Sequence, residues 1–296
     1  MDTENDRNIY AINQVAGGYD LLRDVPEAVL DEYGINILGA TSPQGMILEA
    51  GFGTGRLLAR LAFQNRVSGH PLVAVDSSAA MADLAKQKLV AAGLDRSVEV
   101  VTQDLVEYLE GHRGQFDLVH FKAILHCFPE PVLVLDKITS SLKSGGKIVT
   151  GHEESQVEAR IEGLLRPYPA ADDQDLEMIL KHYFELRRIM GKEFMPRLFP
   201  AGDSQNAVAY LQAKGYVVEK VSDDQTMNFT RQFRLADLLA AIGGGTFGVF
   251  RDGLVTAERE TLYRQLLEFC HSHNIDRERV RAVPARWRQY VLVSAL

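Results

Sequence analysis

Glycine at every second position, directly after a short apolar run, is the feature that most constrains the fold of this chain. Met46 begins the apolar run, Glu49 ends it, and three glycines follow at alternate positions, Gly51, Gly53 and Gly55. Because glycine has no Cβ, the backbone here can turn sharply and approach a ligand closely. A helical pattern starts at once, and the N–H groups of its first turn would face that ligand. The segment therefore predicts a nucleotide-type site at the carboxyl end of the first β-strand.

The spacing of these glycines separates two kinds of nucleotide site. A dinucleotide-binding turn has the pattern G-x-G-x-x-G, and Arg56 stands where the last glycine is required. The pattern in this chain is E-x-G-x-G-x-G, which places an acid ahead of the turn. A glycine-rich turn alone is weak evidence for either kind of site. The rest of the chain has to decide between them.

Composition and charge limit the classes of function that this chain can have. The 296 residues suffice for one large α/β domain or two small ones. A net charge of −8 argues against a nucleic-acid partner, because such proteins usually present a basic face. No apolar run approaches the ~18 residues needed to cross a membrane, and no signal peptide opens the chain. Cys127 and Cys270 are too far apart in the sequence to suggest a metal motif or a disulfide framework. We therefore expect a cytoplasmic protein with no metal site.

Strand and helix patterns alternate along the chain and predict an α/β fold with a doubly wound, mostly parallel sheet. Continuous apolar runs indicate strands that are buried on both faces. The expected strands are 46–50, 71–76, 98–101, 116–121, 147–150, 216–221 and 288–294. Two longer stretches with helical patterns interrupt this alternation, 155–202 and 230–286. We expect a single domain over residues 1–296, in which these two insertions form a helical cap over the strand ends.

Acidic residues end three consecutive predicted strands, at Glu49, Asp76 and Asp104. Asp76 follows the glycine turn at the distance where an acid can accept hydrogen bonds from both hydroxyls of a ribose. Asp104 could accept a hydrogen bond from an exocyclic adenine amine. Each acid alone is more often a helix cap or a turn residue. Three acids in this order, with glycines after the first, favour a nucleoside site.

Several motifs together resemble those of the class I (Rossmann-like) S-adenosylmethionine-dependent methyltransferases. They are Glu49-x-Gly51-x-Gly53-x-Gly55, Val75-Asp76-Ser77-Ser78-x-x-Met81, Gln103-Asp104-Leu105, Phe116-Asp117-Leu118-Val119 and Leu142-Lys143-Ser144-Gly145-Gly146. The subgroup that the chain resembles most is the small-molecule, trans-aconitate-methyltransferase-like set. Its members have a Tyr-Asp pair near the N-terminus, here Gly18-Tyr19-Asp20, a histidine after strand four and a helical lid. The resemblance implies a seven-stranded sheet with an antiparallel last strand.

The resemblance also implies a cofactor, S-adenosyl-L-methionine, and a role for each motif. Glu49 and the glycines would hold the methionine portion, and Asp76 would hold the ribose. The adenine would lie against Asp104, Leu105 and Ser77. The cofactor-binding residues expected on this basis are Tyr19, Glu49, Gly51, Gly53, Gly55, Asp76, Ser77, Met81, Asp104, Leu105 and Phe121.

The candidate catalytic and substrate residues lie near the carboxyl ends of the strands or in the insertions. His126 comes shortly after strand four and could act as a general base, or it could be a packed histidine that bonds a backbone carbonyl. His152 follows strand five at the same edge of the sheet. Tyr10 and Tyr19 could close over the sulfonium, or they could fix the N-terminal helix to the sheet. Arg187 could bind a substrate carboxylate, or it could lie on a solvated helix edge.

Taken together, these features predict a methyltransferase that acts on oxygen or nitrogen of a small organic acceptor. Two departures from the family pattern lie on the substrate side: His126-Cys127 replaces a usual His-Trp pair, and 155–202 is longer than expected. A catalytically silent binding or regulatory protein of the same fold is the main alternative, and a nicotinamide-dependent oxidoreductase is disfavoured by Arg56. We expect no nucleic-acid or membrane partner, and the sequence predicts no oligomeric state.

Overall fold

The alternating apolar runs of the sequence form a mixed β-sheet of eight strands within the described residues. The computed structural model describes residue 20 and residues 25–155, 174–192, 204–222, 227–244 and 253–295. The strands are β1 (Ile47–Ala50), β2 (Leu72–Asp76), β3 (Glu99–Thr102), β4 (Phe116–Lys122), β5 (Leu142–Ser155), β6 (Tyr216–Ser222), β7 (Asn228–Arg234) and β8 (Val280–Ser294). Their order is β3-β2-β1-β4-β5-β8-β6, and β7 pairs with β8. β1 to β5 are parallel, whereas β8 is antiparallel to each of its neighbours. The doubly wound fold with an antiparallel last strand is confirmed.

The last strand is much longer than the sequence pattern suggests, and it pairs with two strands along one edge. β6 pairs with the second half of β8, and β7 pairs with its first half, so that β6 and β7 lie end to end. At the far end of this ladder Arg234 is paired directly with Val280. Residues 228–234 and 280–287 were expected to belong to a helical insertion or to its flanks, and they are strands instead. Pro284 lowers the strand signal of the second segment, because proline cannot donate to a ladder.

Helices cover both faces of the sheet and give the fold three layers. One face carries α1 (Glu27–Ala40), α2 (Arg56–Ser68) and α3 (Ala79–Ala91), and the other carries α4 (Leu105–Glu110), α5 (Pro131–Ser141) and α7 (Ser204–Ala213). Each group of helices buries its apolar side chains in a separate core cluster, one on each side of the sheet. Because the parallel strands are apolar on both faces, both clusters are needed to cover them.

Three further helices pack against one another around a core cluster of their own. They are α6 (Gln174–Ile189), α8 (Leu235–Gly244) and α9 (Thr256–Ser272). Fully buried residues from each, such as Ile179, Leu239 and Leu266, meet in this third cluster. We call this unit the helical cap. In the part of the chain that the structure describes, no helix has both the length and the apolar character to cross a lipid bilayer.

Candidate functional site

The glycine turn between β1 and α2 has a left-handed backbone at each of its three glycines. The φ angles are +74° at Gly51, +54° at Gly53 and +78° at Gly55. A Cβ added at Gly55 would lie 2.6 Å from the Cβ of Ala85 in α3, and one added at Gly51 would lie 2.3 Å from the Cγ2 of Ile124. A Cβ added at Gly53 would meet no atom within 4 Å. Two glycines therefore permit close packing of the turn, and the third faces open space.

Asp76, at the end of β2, binds the middle of this turn. The backbone N–H of Gly53 donates to Asp76 Oδ2 at 2.9 Å, and the N–H of Ser78 donates to Oδ1 at 2.9 Å. Burial raises the pKa of the Asp76 carboxyl, although these two hydrogen bonds act in the opposite direction. A carboxylate has about four lone-pair sites, so each oxygen can accept a further hydrogen bond. Asp76 therefore fixes the turn and keeps acceptor capacity for a ligand beside it.

Glu49 ends β1 next to the turn, and its carboxylate is buried against a histidine that the sequence analysis missed. Glu49 is 3% exposed, and its Oε2 lies in a short contact with Nδ1 of His120, which is fully buried on β4. The other ring nitrogen, Nε2, lies 3.3 Å from the hydroxyl of Tyr33 on α1. Glu49 and His120 are direct neighbours in the β1–β4 register. A histidine inside an apolar strand run was the signal that could have identified this residue.

The acid that ends β3 caps the following helix. One oxygen of Asp104, Oδ1, accepts hydrogen bonds from the N–H groups of Val106 at 2.9 Å and Glu107 at 3.2 Å. Asp104 is therefore the N-cap of α4, a common role for an acid at this position. The N–H of Gln103, one residue earlier, donates to the carbonyl of Asp76 at 3.1 Å, which places the ends of β2 and β3 side by side. An adenine contact by Asp104 stays a prediction.

The remaining predicted cofactor residues differ in how their side chains are placed. Ser77 is exposed in the turn between β2 and α3. Leu105 and Phe121 are 4% and 2% exposed and belong to one core cluster. Met81, which is 2% exposed, packs with Ala80 and Leu84 in a small separate cluster. Tyr19 lies outside the described residues, and so does Tyr10.

Asp20, the neighbour of Tyr19 in the sequence, contacts the glycine turn. Its Oδ1 accepts a hydrogen bond from the hydroxyl of Thr54 at 2.6 Å, and its Oδ2 binds the ammonium of Lys88 at 2.7 Å. Lys88, on α3, also donates to the backbone carbonyl of Thr54 at 2.7 Å. A residue of the N-terminal segment is thus tied to the turn by two side chains that the sequence analysis did not single out.

On the substrate side, His126 and His152 have different surroundings. The backbone of His126 lies in a short 3₁₀ helix, Leu125–Cys127, immediately beyond β4, and its side chain is outside the described part of the structure. His152 lies on β5 and is 6% exposed, and its ring stacks on that of Tyr290 with centroids 6.0 Å apart. Both His126 and His152 therefore lie near the carboxyl ends of their strands, and their chemical roles stay predictions.

Arg187 lies inside the helical cap and not on a solvated helix edge. Its side chain is 1% exposed, its Nε donates to the carbonyl of Lys192 at 2.7 Å, and its Nη1 donates to the Tyr183 hydroxyl at 3.2 Å. These contacts hold the carboxyl end of α6 and exclude the solvated helix edge, whereas a contact between Arg187 and a substrate stays a prediction. Among the described residues, no group of three His, Cys, Asp or Glu side chains could hold a metal ion.

Comparison with known proteins bears directly on the segment that carries this site. Residues 47–146 match the family model described as "Methyltransferase domain". This segment is therefore similar to the methyltransferase domains of that family. It contains the glycine turn, Asp76, Asp104 and His120, and the α/β fold around it is the one typical of class I methyltransferases. The methyl donor that this family implies is S-adenosylmethionine. An open Gly53, acceptor capacity at Asp76 and a buried carboxylate at Glu49 fit a cationic nucleoside ligand.

Two similar proteins illustrate how far the likeness extends. The tRNA 5-carboxymethoxyuridine methyltransferase of Escherichia coli K12 is 32% identical over 114 residues, which are 37% of this chain and 41% of that enzyme. The chain thus matches less than half the length of this curated relative. A methyltransferase candidate from Bacillus halodurans C-125, BH2331, has a solved structure that superposes with a TM-score of 0.52. It is 15% identical, and the alignment covers 90% of this chain and 99% of BH2331, which shows the fold alone.

Proposed function

We propose that this protein is an S-adenosylmethionine-dependent methyltransferase that transfers a methyl group to oxygen or nitrogen of a small organic acceptor. The observation that carries the proposal is the bond between Asp76 and the N–H of Gly53, which joins the acid and the glycine turn in one site. That site lies within the matched methyltransferase domain. The same geometry supports a nucleoside ligand over a structural turn, because the turn is open at Gly53.

The proposed cofactor contacts divide the site into three parts. Glu49 and the glycine turn hold the methionine end, and Asp76 holds the ribose. Ser77, Asp104 and Leu105 surround the adenine. The full set is Tyr19, Glu49, Gly51, Gly53, Gly55, Asp76, Ser77, Met81, Asp104, Leu105 and Phe121.

The chemistry asked of the protein is mainly positioning. When bound, S-adenosylmethionine supplies an activated methyl group on a sulfonium centre. Holding a nucleophile in line with that group contributes on the order of 7–11 kcal/mol to lowering the barrier. The helical cap excludes water from the reacting atoms. His126 accepts the proton of a hydroxyl or ammonium acceptor, which is worth roughly 10² to 10⁴ in rate; a carboxylate acceptor needs no such base.

The acceptor binds between the strand ends and the cap in this proposal. His152 on β5, Tyr10 and Arg187 are the substrate residues expected from the sequence. The buried position of Arg187 supports a role in shaping the cap more than direct contact. An acceptor that enters from this side meets the methyl group at the carboxyl edge of the sheet, where ligands of open α/β sheets bind.

A nucleoside in RNA is a second candidate acceptor, and one observation favours it. A protein that is 32% identical to this chain over 114 residues is a tRNA-modifying methyltransferase. The net charge of −8 opposes this candidate, since RNA binding usually needs a basic surface. We therefore rank a small acceptor first.

Two measurements test the proposal in sequence. Calorimetric titration should show S-adenosylhomocysteine binding with a Kd on the order of micromolar and no heat with NADH. Next, methyl-labelled S-adenosylmethionine is incubated with the enzyme and either a small-molecule extract or total tRNA. Label in a small product supports the first candidate, and label in tRNA supports the second. Binding without label in either pool would identify a catalytically silent protein, and a response to NADH alone would identify an oxidoreductase.

A further inference from the structure

Three polar side chains from three different elements form a buried chain that ends beside the glycine turn. Tyr33 on α1 and His120 on β4 are 0% exposed, and Glu49 on β1 is 3% exposed. The chain runs from the Tyr33 hydroxyl to His120 Nε2 at 3.3 Å, and from His120 Nδ1 to Glu49 Oε2. A buried carboxylate without a hydrogen-bonded partner would be strongly destabilising. The chain therefore explains how Glu49 is tolerated at this position.

The hydroxyl of Tyr33 fits only because a glycine faces it. A Cβ added at Gly151 on β5 would lie 2.4 Å from the Tyr33 hydroxyl oxygen and 2.5 Å from the carbonyl oxygen of Arg288. The Tyr33 ring also meets the edges of two other rings, those of His120 at 5.4 Å and Trp287 at 5.2 Å. Tyr33 is thus held in one place by β4, β5 and β8 together.

The hydrogen-bond geometry assigns the protons of this chain. Burial, and then the charge of Glu49, raise the pKa of Tyr33 well above its ordinary value, so its hydroxyl keeps its proton. That hydroxyl can donate to Nε2, and Nδ1 on the other side of the ring can donate to Glu49. Within the described part of the chain, the second oxygen of Glu49, Oε1, has no hydrogen-bond partner.

We propose that His120 and Tyr33 are positioning residues for the methionine end of the cofactor: they hold the Glu49 side chain in one orientation, with Oε1 left to accept from the cofactor's ammonium group. This inference rests on the proposed function. Neither residue touches the cofactor, and both act through Glu49. The charged groups that face His120 from the described elements are Glu49 and, two residues further along β4, Lys122, whose Nζ lies 3.8 Å from the centroid of a Trp287 ring. Its β5 neighbour in the register, Val149, is apolar.

The test compares two ligands that differ only at the end in question. S-adenosylhomocysteine carries the amino-acid end, and 5′-methylthioadenosine lacks it. Both are titrated calorimetrically into wild type, His120→Leu, His120→Asn and Tyr33→Phe at neutral pH. The asparagine variant is the matched control, because its side-chain amide can donate a hydrogen bond to Glu49.

We expect His120→Leu to weaken S-adenosylhomocysteine about tenfold or more, as for a lost hydrogen bond to a charged group. Binding of methylthioadenosine should stay within about twofold of wild type, and His120→Asn should restore most of the affinity.

Two outcomes would overturn the inference. Equal losses for both ligands would mean that the chain of hydrogen bonds serves only folding. If His120→Leu does not fold, Tyr33→Phe decides: it should weaken S-adenosylhomocysteine about two- to fivefold and leave methylthioadenosine unchanged. No difference for either ligand in that variant counts against the inference. A wild-type protein that binds neither ligand would instead contradict the proposed function.

Discussion

At the scale of single residues, Asp76 shows how one carboxylate can organise a loop and a ligand together. Its two oxygens accept from the N–H groups of Gly53 and Ser78. The pKa of this carboxyl is raised by burial, so the ionised form costs more here than it would in water. A ligand that donates hydroxyl protons to the carboxylate offsets part of that cost. The residue is therefore suited to a site that a ribose completes.

We expect Asp76→Ala to weaken S-adenosylhomocysteine by about 1.5–3 kcal/mol at neutral pH, as for a lost hydrogen bond to a charged group. Since hydroxyl donors favour the ionised carboxylate, wild-type affinity should fall as the pH falls through the raised pKa of Asp76, sooner than for an ordinary aspartate. In Asp76→Ala, this fall in affinity at low pH should be absent. Titration calorimetry over pH checks both effects, with the exposed acid of α3 as a control, Asp83→Ala. Unchanged affinity in Asp76→Ala would remove the ribose role.

The raised pKa of Asp76 also has a consequence for the ligand-free protein. A carboxyl whose folded-state pKa is raised contributes stability that is complete below its unfolded pKa and is lost as the pH rises through the folded pKa. The stability that Asp76 contributes to the ligand-free protein therefore decreases as the pH rises, whereas the affinity for the ligand increases.

Gly55 and Gly53 of the turn provide a matched pair of substitutions. Gly55→Ala should lower the free energy of unfolding by about 2–4 kcal/mol, because left-handed strain adds to a clash with Ala85. Gly53→Ala should cost only the strain, about 1–2 kcal/mol, since its Cβ would meet open space. It should nevertheless weaken cofactor binding, because that space is where the ligand lies. Urea unfolding and calorimetry separate the two effects. Equal unfolding losses would contradict the assignment.

What could be predicted at this scale depended on distance along the chain. Glu49, Asp76 and Asp104 lie at or next to the carboxyl ends of their strands, so their position at one edge could be inferred from the sequence alone. His120 is 71 residues from Glu49 and 87 residues from Tyr33 in the sequence, and it contacts Glu49 only once the register of β1 on β4 is fixed. The burial of Arg187 could not be predicted, because helical periodicity does not reveal which carbonyl a guanidinium will meet.

At the scale of elements, α3 is joined to the turn before α2 by Lys88. Its ammonium donates to Asp20 and to the carbonyl of Thr54, both at 2.7 Å. The side chains of Lys88 and Asp20 are about one-third exposed, so solvent screens the pair. One cation thus connects a helix, the glycine turn and a residue of the N-terminal segment.

Removing this cation should affect binding more than folding. We expect Lys88→Met to lower stability by no more than about 0.5–1 kcal/mol. Cofactor affinity should fall, because the turn loses its tie to Asp20, and the loss should shrink at high salt, where screening already weakens the wild-type pair. Calorimetry at low and high salt is the measurement, and Lys86→Met, exposed on the same helix, is the control. If both variants bind alike, Lys88 has no such role.

The sequence predicted elements well where apolar runs are continuous and poorly where strands are amphipathic. β1, β2 and β4 were expected within two residues of their observed ends. β7 alternates Phe229 and Phe233 with polar residues, a pattern of a half-exposed strand, and it was assigned to an insertion instead. The long β5 and β8 extend beyond the predicted strands; the end of β5 pairs with β8, and the first half of β8 pairs with β7.

At the scale of the whole molecule, the cap has a hydrophobic core distinct from the two cores of the sheet. Insertions with helical patterns were predicted from the sequence, but the packing of α6 against α9 could not be, because these two helices are distant in the chain. That the cap covers the acceptor site stays part of the proposal.

Two fully buried leucines test whether the cap unfolds separately. Leu239 lies in the cap core and Leu58 in the core beneath α2, and both are 0% exposed. Each change to alanine should cost about 2–5 kcal/mol. Hydrogen–deuterium exchange should rise in α6, α8 and α9 for Leu239→Ala and in α1 to α3 for Leu58→Ala. Faster exchange throughout the protein in both variants would show a single cooperative unit.

The pairing of Arg234 with Val280 has a consequence for how such a chain can diversify. Residues 235–279 leave and re-enter the ladder at adjacent positions, so another helical cassette could be grafted there without altering the register of any strand. Acceptor preference could thus change by exchange of one contiguous module, while the half of the protein that holds the methyl donor is inherited intact.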